Sequence, residues 1–121
     1  MEQKKDLTIA SRSRSFGAAF SGLWEMTKEP NAILHTIATI VVIVAGLVKH
    51  LDASRWVFLI LAIGLVWITE ILNTSIERLS NYTCGNKYHP AIKVIKDLGA
   101  GAVLVSAIIS SVIGIIVFFF K

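Results

Sequence analysis

The sequence is poor in cysteine, in charge and in phosphate-binding loops. Cys84 is its one cysteine in 121 residues, which excludes an intramolecular disulfide and argues against a tetrahedral zinc centre built from this chain. Neither a G-x-x-x-x-G-K-[ST] loop nor a G-x-G-x-x-G loop is present, so any nucleotide is held without those backbone cradles. Charged residues make up 17% of the chain and the net charge is +4. The basic residues are dispersed and the aromatics fall mostly in apolar runs, which gives no basis for nucleic-acid binding. Met1 to Asp6 is polar, and no apolar stretch comes before residue 32, so a cleavable signal peptide is not expected.

What the chain has is apolar length. It is 55% hydrophobic, with a mean hydropathy of +0.70, too apolar for a soluble domain of this size. Three runs stand out. Residues 32–48 contain His35 as their one ionisable side chain, residues 56–69 are uncharged, and residues 98–120 carry no charge over 23 positions. A bilayer core needs ~20 residues of helix, with a range of about 17–25. The spacing predicts an all-α membrane protein of one domain, with spans at 32–48, 56–72 and 98–120. In residues 1–28, Phe16, Phe20, Leu23 and Trp24 recur on one helical stripe beside Arg12, Arg14, Glu25 and Lys28. This fits an amphipathic helix lying on the membrane surface; a cytosolic helix packed on the link after the second span fits the same stripe.

Lys and Arg are unevenly shared between the two sides. Lys4, Lys5, Arg12, Arg14, Lys28, Arg78, Lys87, Lys93 and Lys96 fall on the side of the N-terminus, against Lys49, Arg55 and Lys121 on the other. The positive-inside rule then puts the N-terminus and the 78–97 link in the cytoplasm. In that link Cys84-Gly85-Asn86 reads as a turn, and Pro90 suits the first turn of a helix starting near Ala91. On the third span Ala102, Ser106, Ser110 and Gly114 form a small-residue stripe that lets helices approach. Three thin spans enclose little interior, so a homo-oligomer is expected.

The chemistry is concentrated in Glu70-Ile-Leu-Asn73-Thr-Ser-Ile-Glu77. At 100° per residue Glu70, Asn73 and Glu77 share one helix face. Acids and an amide on a stripe at membrane depth are expensive to bury, and a cation would offset that expense. Glu70 and Glu77 are about 10 Å apart along the axis at ~1.5 Å per residue, room for a divalent ion and a phosphate oxygen. Glu29 is a third carboxylate at the same depth, and Lys96 and Asp97 add a cation and another acid. Carboxylates for metal, a lysine for phosphate and a spare carboxylate for a hydroxyl are the parts of phosphoryl transfer. Taken singly, Glu77-Arg78 reads equally as a solvated helix end, Glu29 as a first-turn acid and Lys96-Asp97 as a juxtamembrane pair. Glu70 is the exception, because it interrupts an apolar run. A non-enzymatic ion-conducting or transporter-type oligomer is the alternative from another class. A conduction path would spread polar residues through the bilayer, whereas these cluster at one boundary.

The eight-residue motif, joined to Tyr88-His89-Pro90 and to Lys96-Asp97-Leu-Gly-Ala-Gly-Ala-Val103, resembles the prokaryotic diacylglycerol kinase family, which includes the undecaprenol kinases. Arg14-Ser15-Phe16, Gly22-Leu23-Trp24 and Glu29-Pro30-Asn31-Ala32 through His35 match as well, so the resemblance covers nearly the whole chain. It implies a small homotrimeric kinase of the bacterial cytoplasmic membrane that moves the ATP γ-phosphate to a lipid hydroxyl, of diacylglycerol or undecaprenol, with sites shared between subunits. By that resemblance Glu70 is the general base, and Glu29 and Glu77 hold Mg2+ with the nucleotide. Asn73, Tyr88, His89, Lys96 and Asp97 complete the ATP site, and Arg12, Arg14, Glu70 and Ala100 meet the lipid. The chain departs from the family pattern in Ile33, where many members have Arg, in Asn81, where many have Asp, and in small length differences at 22–29 and 77–88. These bear on lipid contacts and loop details and leave the acid, amide and lysine set intact.

Overall fold

The computed structural model describes residues 9–121, which are mostly helical, with no strand among them. Lys4, Lys5 and the first eight residues of the expected surface helix lie outside the described residues. Four helices follow in order: α1 Ile9–Met26, α2 Pro30–Val48, α3 Ala53–Cys84 and α4 Pro90–Phe119. The last three are each long and apolar enough to cross a membrane. The chain divides into two compact units, 1–36 and 37–121.

In the first unit α1 ends in a tight turn. Thr27, Lys28 and Glu29 donate their backbone N–H groups to Trp24, Glu25 and Met26, and Pro30 then opens α2 where a missing N–H does no harm. Phe16, Phe20, Leu23 and Trp24, the apolar stripe of α1, are each half exposed or more.

The second unit is built on the antiparallel pair of α3 and α4. α2 closes with His50 in the left-handed region, and Leu51 N–H reaches back to the Gly46 carbonyl at 3.3 Å, so the orphan carbonyls of the helix end are used. Asp52 then caps α3, accepting from the Arg55 N–H at 2.9 Å. α2 is tied to α3 by the Trp67 indole, which donates to Thr39 Oγ1 at 2.9 Å. Little of this is a water-excluded core. Leu59, Ala62 and Val117 are buried, while Ile60, Leu61, Leu104 and Ile108 are more than half exposed. Exposed apolar surface on that scale belongs against acyl chains.

The helices overrun their apolar stretches. α3 has 32 residues, about 48 Å at 1.5 Å per residue, against a hydrocarbon core of ~30 Å. The polar link expected over 78–97 is therefore mostly helix, and the real turn is residues 85–89. Apolar length reports membrane thickness, whereas a helix ends only where something stops it. Here the stop is Gly85 at φ 59°, whose N–H caps the Asn81 carbonyl, followed by Asn86 at φ 63°. Pro90 starts α4 as the sequence led us to expect, with His89 as its cap.

Candidate functional site

α3 and α4 run past one another in a regular register. As the α3 position falls from Asn81 through Asn73, Thr69 and Ala62 to Arg55, its α4 partner rises from Lys96 through Gly99, Ser106 and Ser110 to Val117. That register carries the acids of α3 past the first turns of α4. The face predicted from spacing is real, and its burial is graded. Glu70 is 3% exposed and Asn73 7% exposed, whereas Glu77 is exposed. The stripe thus runs from membrane depth out to the polar end of the helix.

Within the stripe, Asn73 Nδ2 donates to Glu77 Oε1 over a long 3.4 Å. Its other end, Oδ1, is buried without a hydrogen-bond partner and lies against Gly99. An amide donor orients a carboxylate, and one donated hydrogen bond uses only one of its several lone-pair sites. Glu77 stands one turn from both Asn73 and Asn81, which places it opposite the turn of α4 that bears Lys96. Lys96 Nζ donates to Asn81 Oδ1, again a neutral partner, which holds the ammonium in place. Asp97, next in sequence, points 100° away on the helix. It accepts from Lys93 Nζ one turn earlier, in a pair whose side chains are more than half exposed and which adds little to stability.

The remaining predicted residues are distributed more widely. Tyr88 is 77% exposed in the 85–89 turn. His89 Nδ1 accepts from the Ala91 N–H at 3.1 Å, so part of its role is to cap α4. Ala100 is exposed on α4, one position after Gly99. Arg12 and Arg14 are exposed on α1, and Glu29 sits in the turn that joins α1 to α2; all three belong to the first unit.

Beside Asn73 the helix pair opens a cavity of about 350 Å³, lined by Leu72, Ile76, Ile95, Leu98 and Gly99 among others. Its wall is almost wholly apolar and its volume falls within the range of small-molecule pockets. Two features escaped the sequence reading. Thr69 and Ser106 share a hydroxyl–hydroxyl bond of 2.8 Å, and Ser110 Oγ donates to the Ala62 carbonyl at 2.9 Å. Ser106 and Ser110 belong to the small-residue stripe expected to let helices approach, and in the structure they serve the α3–α4 contact of the same chain. The signal was present in Thr69 and Ser106, but only the register pairs them.

Residues 17–118 match the sequence model of the family described as prokaryotic diacylglycerol kinase. An undecaprenol kinase of Bacillus subtilis is 38% identical over 106 residues, covering 87% of this chain and 85% of that protein. A diacylglycerol kinase of Synechocystis is 38% identical over 83% of this chain, which spans only 58% of that protein's length. A diacylglycerol kinase of Escherichia coli is 35% identical over 74 residues, 61% of this chain and 60% of the relative. With three membrane-spanning helices and this motif on α3 and α4, the chain belongs to the prokaryotic diacylglycerol kinase family of membrane lipid kinases.

Proposed function

We propose that this protein transfers the γ-phosphate of ATP, with Mg2+, to the hydroxyl of a membrane lipid. It does so at the cytoplasmic side of the bacterial inner membrane, as a homotrimer. The observation that carries the reading is an amide, Asn73, lining an apolar cleft, with a buried acid, Glu70, one turn away on the same helix and Glu77 and Lys96 towards one end of the helix pair. A lipid can bring its hydroxyl to this place from the bilayer, and a water-soluble nucleotide can meet it from the polar end.

The lipid hydroxyl is a poor nucleophile at neutral pH. Glu70 accepts its proton as the oxygen forms a bond to the γ-phosphorus, while the bond from that phosphorus to the β–γ bridging oxygen breaks and ADP leaves. Lys96 holds phosphate charge, with Asn81 steadying it. Magnesium is bound through one or two carboxylates and phosphate oxygens rather than by an all-protein cage. The hard oxygens of Glu77 and Glu29 fit that mode; among the described residues no three His, Cys, Asp or Glu side chains gather to form a closed site. When bound, the ion neutralises charge on the β- and γ-phosphates. Membership of a kinase family removes the ion-conducting alternative.

The B. subtilis relative matches over most of both chains, which supports undecaprenol as the first acceptor to test. Purified protein in lipid nanodiscs is given radiolabelled ATP, Mg2+ and either undecaprenol or diacylglycerol. Label is expected in undecaprenyl phosphate ahead of phosphatidic acid, and label in neither lipid overturns the reading. For the trimer, Glu70→Gln chains are mixed with Glu77→Gln chains. Recovered activity is expected if the two residues act from neighbouring subunits; none, with chain exchange confirmed, assigns both to one chain.

A further inference from the structure

Among the described glycines, two are pressed by a neighbour closely enough to reject a side chain. A Cβ at Gly46 would meet the outer edge of the Trp56 indole at 2.8 Å, and one at Gly99 would meet Asn73 Oδ1 at 2.5 Å. At Gly101, two residues further along α4, nothing lies within 4 Å. Gly99 is therefore singled out from its neighbour by what faces it, and what faces it is the amide of the proposed site.

The amide has two ends and one acceptable orientation. Its nitrogen donates to the Glu77 carboxylate. Turned over, its oxygen would face that carboxylate, acceptor against acceptor. With Nδ2 directed to Glu77, Oδ1 has to lie the other way, against α4. Asn73 is 7% exposed and the cleft it lines is almost wholly apolar, so the amide keeps its polar partner only in this seat. It fits only because the α4 residue it meets has no Cβ.

We propose that Gly99 is a positioning residue for phosphoryl transfer: its missing side chain seats the Asn73 amide, and the seated amide orients the Glu77 carboxylate. The functional consequence rests on the kinase reading above; the seating of the amide does not. A methyl group at 99 would turn Asn73 or part the helices, and either movement takes Nδ2 from Glu77. Misplacement by about 1 Å can reduce a rate by ~10²-fold.

The test is a double-mutant cycle with a spectroscopic arm. Gly99→Ala is expected to lower kcat by about 10²-fold, close to the loss from Asn73→Ala, and Gly101→Ala to leave it within about twofold. Gly99→Ala combined with Asn73→Ala should be no worse than Asn73→Ala alone, because the obstructing amide is gone. The Asn73 side-chain amide resonance, read in protein labelled with 15N-asparagine, should move in Gly99→Ala and stay in place in Gly101→Ala. If Gly99→Ala fails to fold, recovery of folding in the double variant supports the seat. Additive losses, a double variant that still fails to fold, or an unmoved Asn73 resonance overturns the proposal. Wild-type protein that phosphorylates neither lipid overturns the kinase reading instead, and the resonance still decides the seat.

Discussion

The two ends of the α3–α4 pair solve different problems with similar residues. At the end near Arg55, polar groups are consumed by the protein itself. Asp52 caps α3, Arg55 donates to the Ile116 and Val117 carbonyls, and Lys49 donates to the Phe118 carbonyl at 3.0 Å. These cations meet the last carbonyls and negative dipole end of α4, which is where cations stabilise a helix. At the other end, Asn73 makes one long bond and buries an oxygen without a partner, and Lys96 is steadied by a neutral amide. One end is closed for stability. The other keeps a buried polar oxygen without a hydrogen-bond partner, a feature that calls for an explanation and is met at functional sites.

If the comparison is right, damage at the open end removes activity and spares the fold. Glu70→Gln keeps size and removes proton acceptance, and a lost general base lowers turnover by ~10²–10⁴-fold. Binding of ATP, measured by titration with a fluorescent analogue, should survive. Loss of ATP binding together with turnover would move Glu70 into the nucleotide site.

The next effect concerns metal. In the proposed site Glu77→Gln takes away a hard anionic oxygen, and the variant should abolish turnover or raise its Mg2+ requirement strongly. Asn73→Ala removes only the group that orients Glu77, and outer-shell losses of that kind weaken metal binding by ~10–100-fold. A Mg2+ titration of initial rate ranks the two. Equal, unshifted Mg2+ curves would take both residues out of the metal site.

These effects turn on residues that the sequence exposed unequally. Glu70, Asn73 and Glu77 were legible because helical periodicity alone puts them on one face, and the three spans because apolar length measures the membrane. Residue spacing carries no such information about neighbours across two helices. Gly99 and Gly101 look alike in Leu98-Gly-Ala-Gly-Ala102, and only the register shows that Gly99 meets Asn73. Asn81 stood out as a departure from the family pattern, but its bond to Lys96 needed α3 to run on to Cys84. That overrun was hidden, because Asn, Tyr and Thr weaken a helix without ending it. The stop is Gly85, in the left-handed region.

At the closed end the expectation reverses. Arg55→Ala should cost about 1–2 kcal/mol of stability, from the loss of charge-assisted bonds to the last carbonyls of α4. Thermal melting in detergent reads this directly. Turnover per folded molecule should stay within about twofold. A large fall in activity without a fall in melting temperature would mean that the two ends are coupled.

The smallest effect lies between the ends and sets where the closed region stops. Ser106 is 2% exposed, and its hydroxyl, with one proton to give, lies 2.8 Å both from Thr69 Oγ1 and from the Val103 carbonyl, so it donates to one of them and can accept from Thr69 when it donates to the carbonyl. Thr69 in turn reaches the Leu65 and Val66 carbonyls, so neither hydroxyl is stranded when the other is removed. Ser106→Ala and Thr69→Val should each destabilise by about 0.5–1 kcal/mol. Because the two share one bond, the double variant should lose less than the sum of the single losses. Thr69 precedes Glu70 and lines the cleft beside Asn73, so the same variants can be assayed for turnover. If activity is kept, the pair belongs to the packing of α3 on α4, and the open site begins at Glu70. A tenfold or greater fall with melting unchanged would extend the site past Glu70 to Thr69 and shift the boundary between the two regions to Ser106.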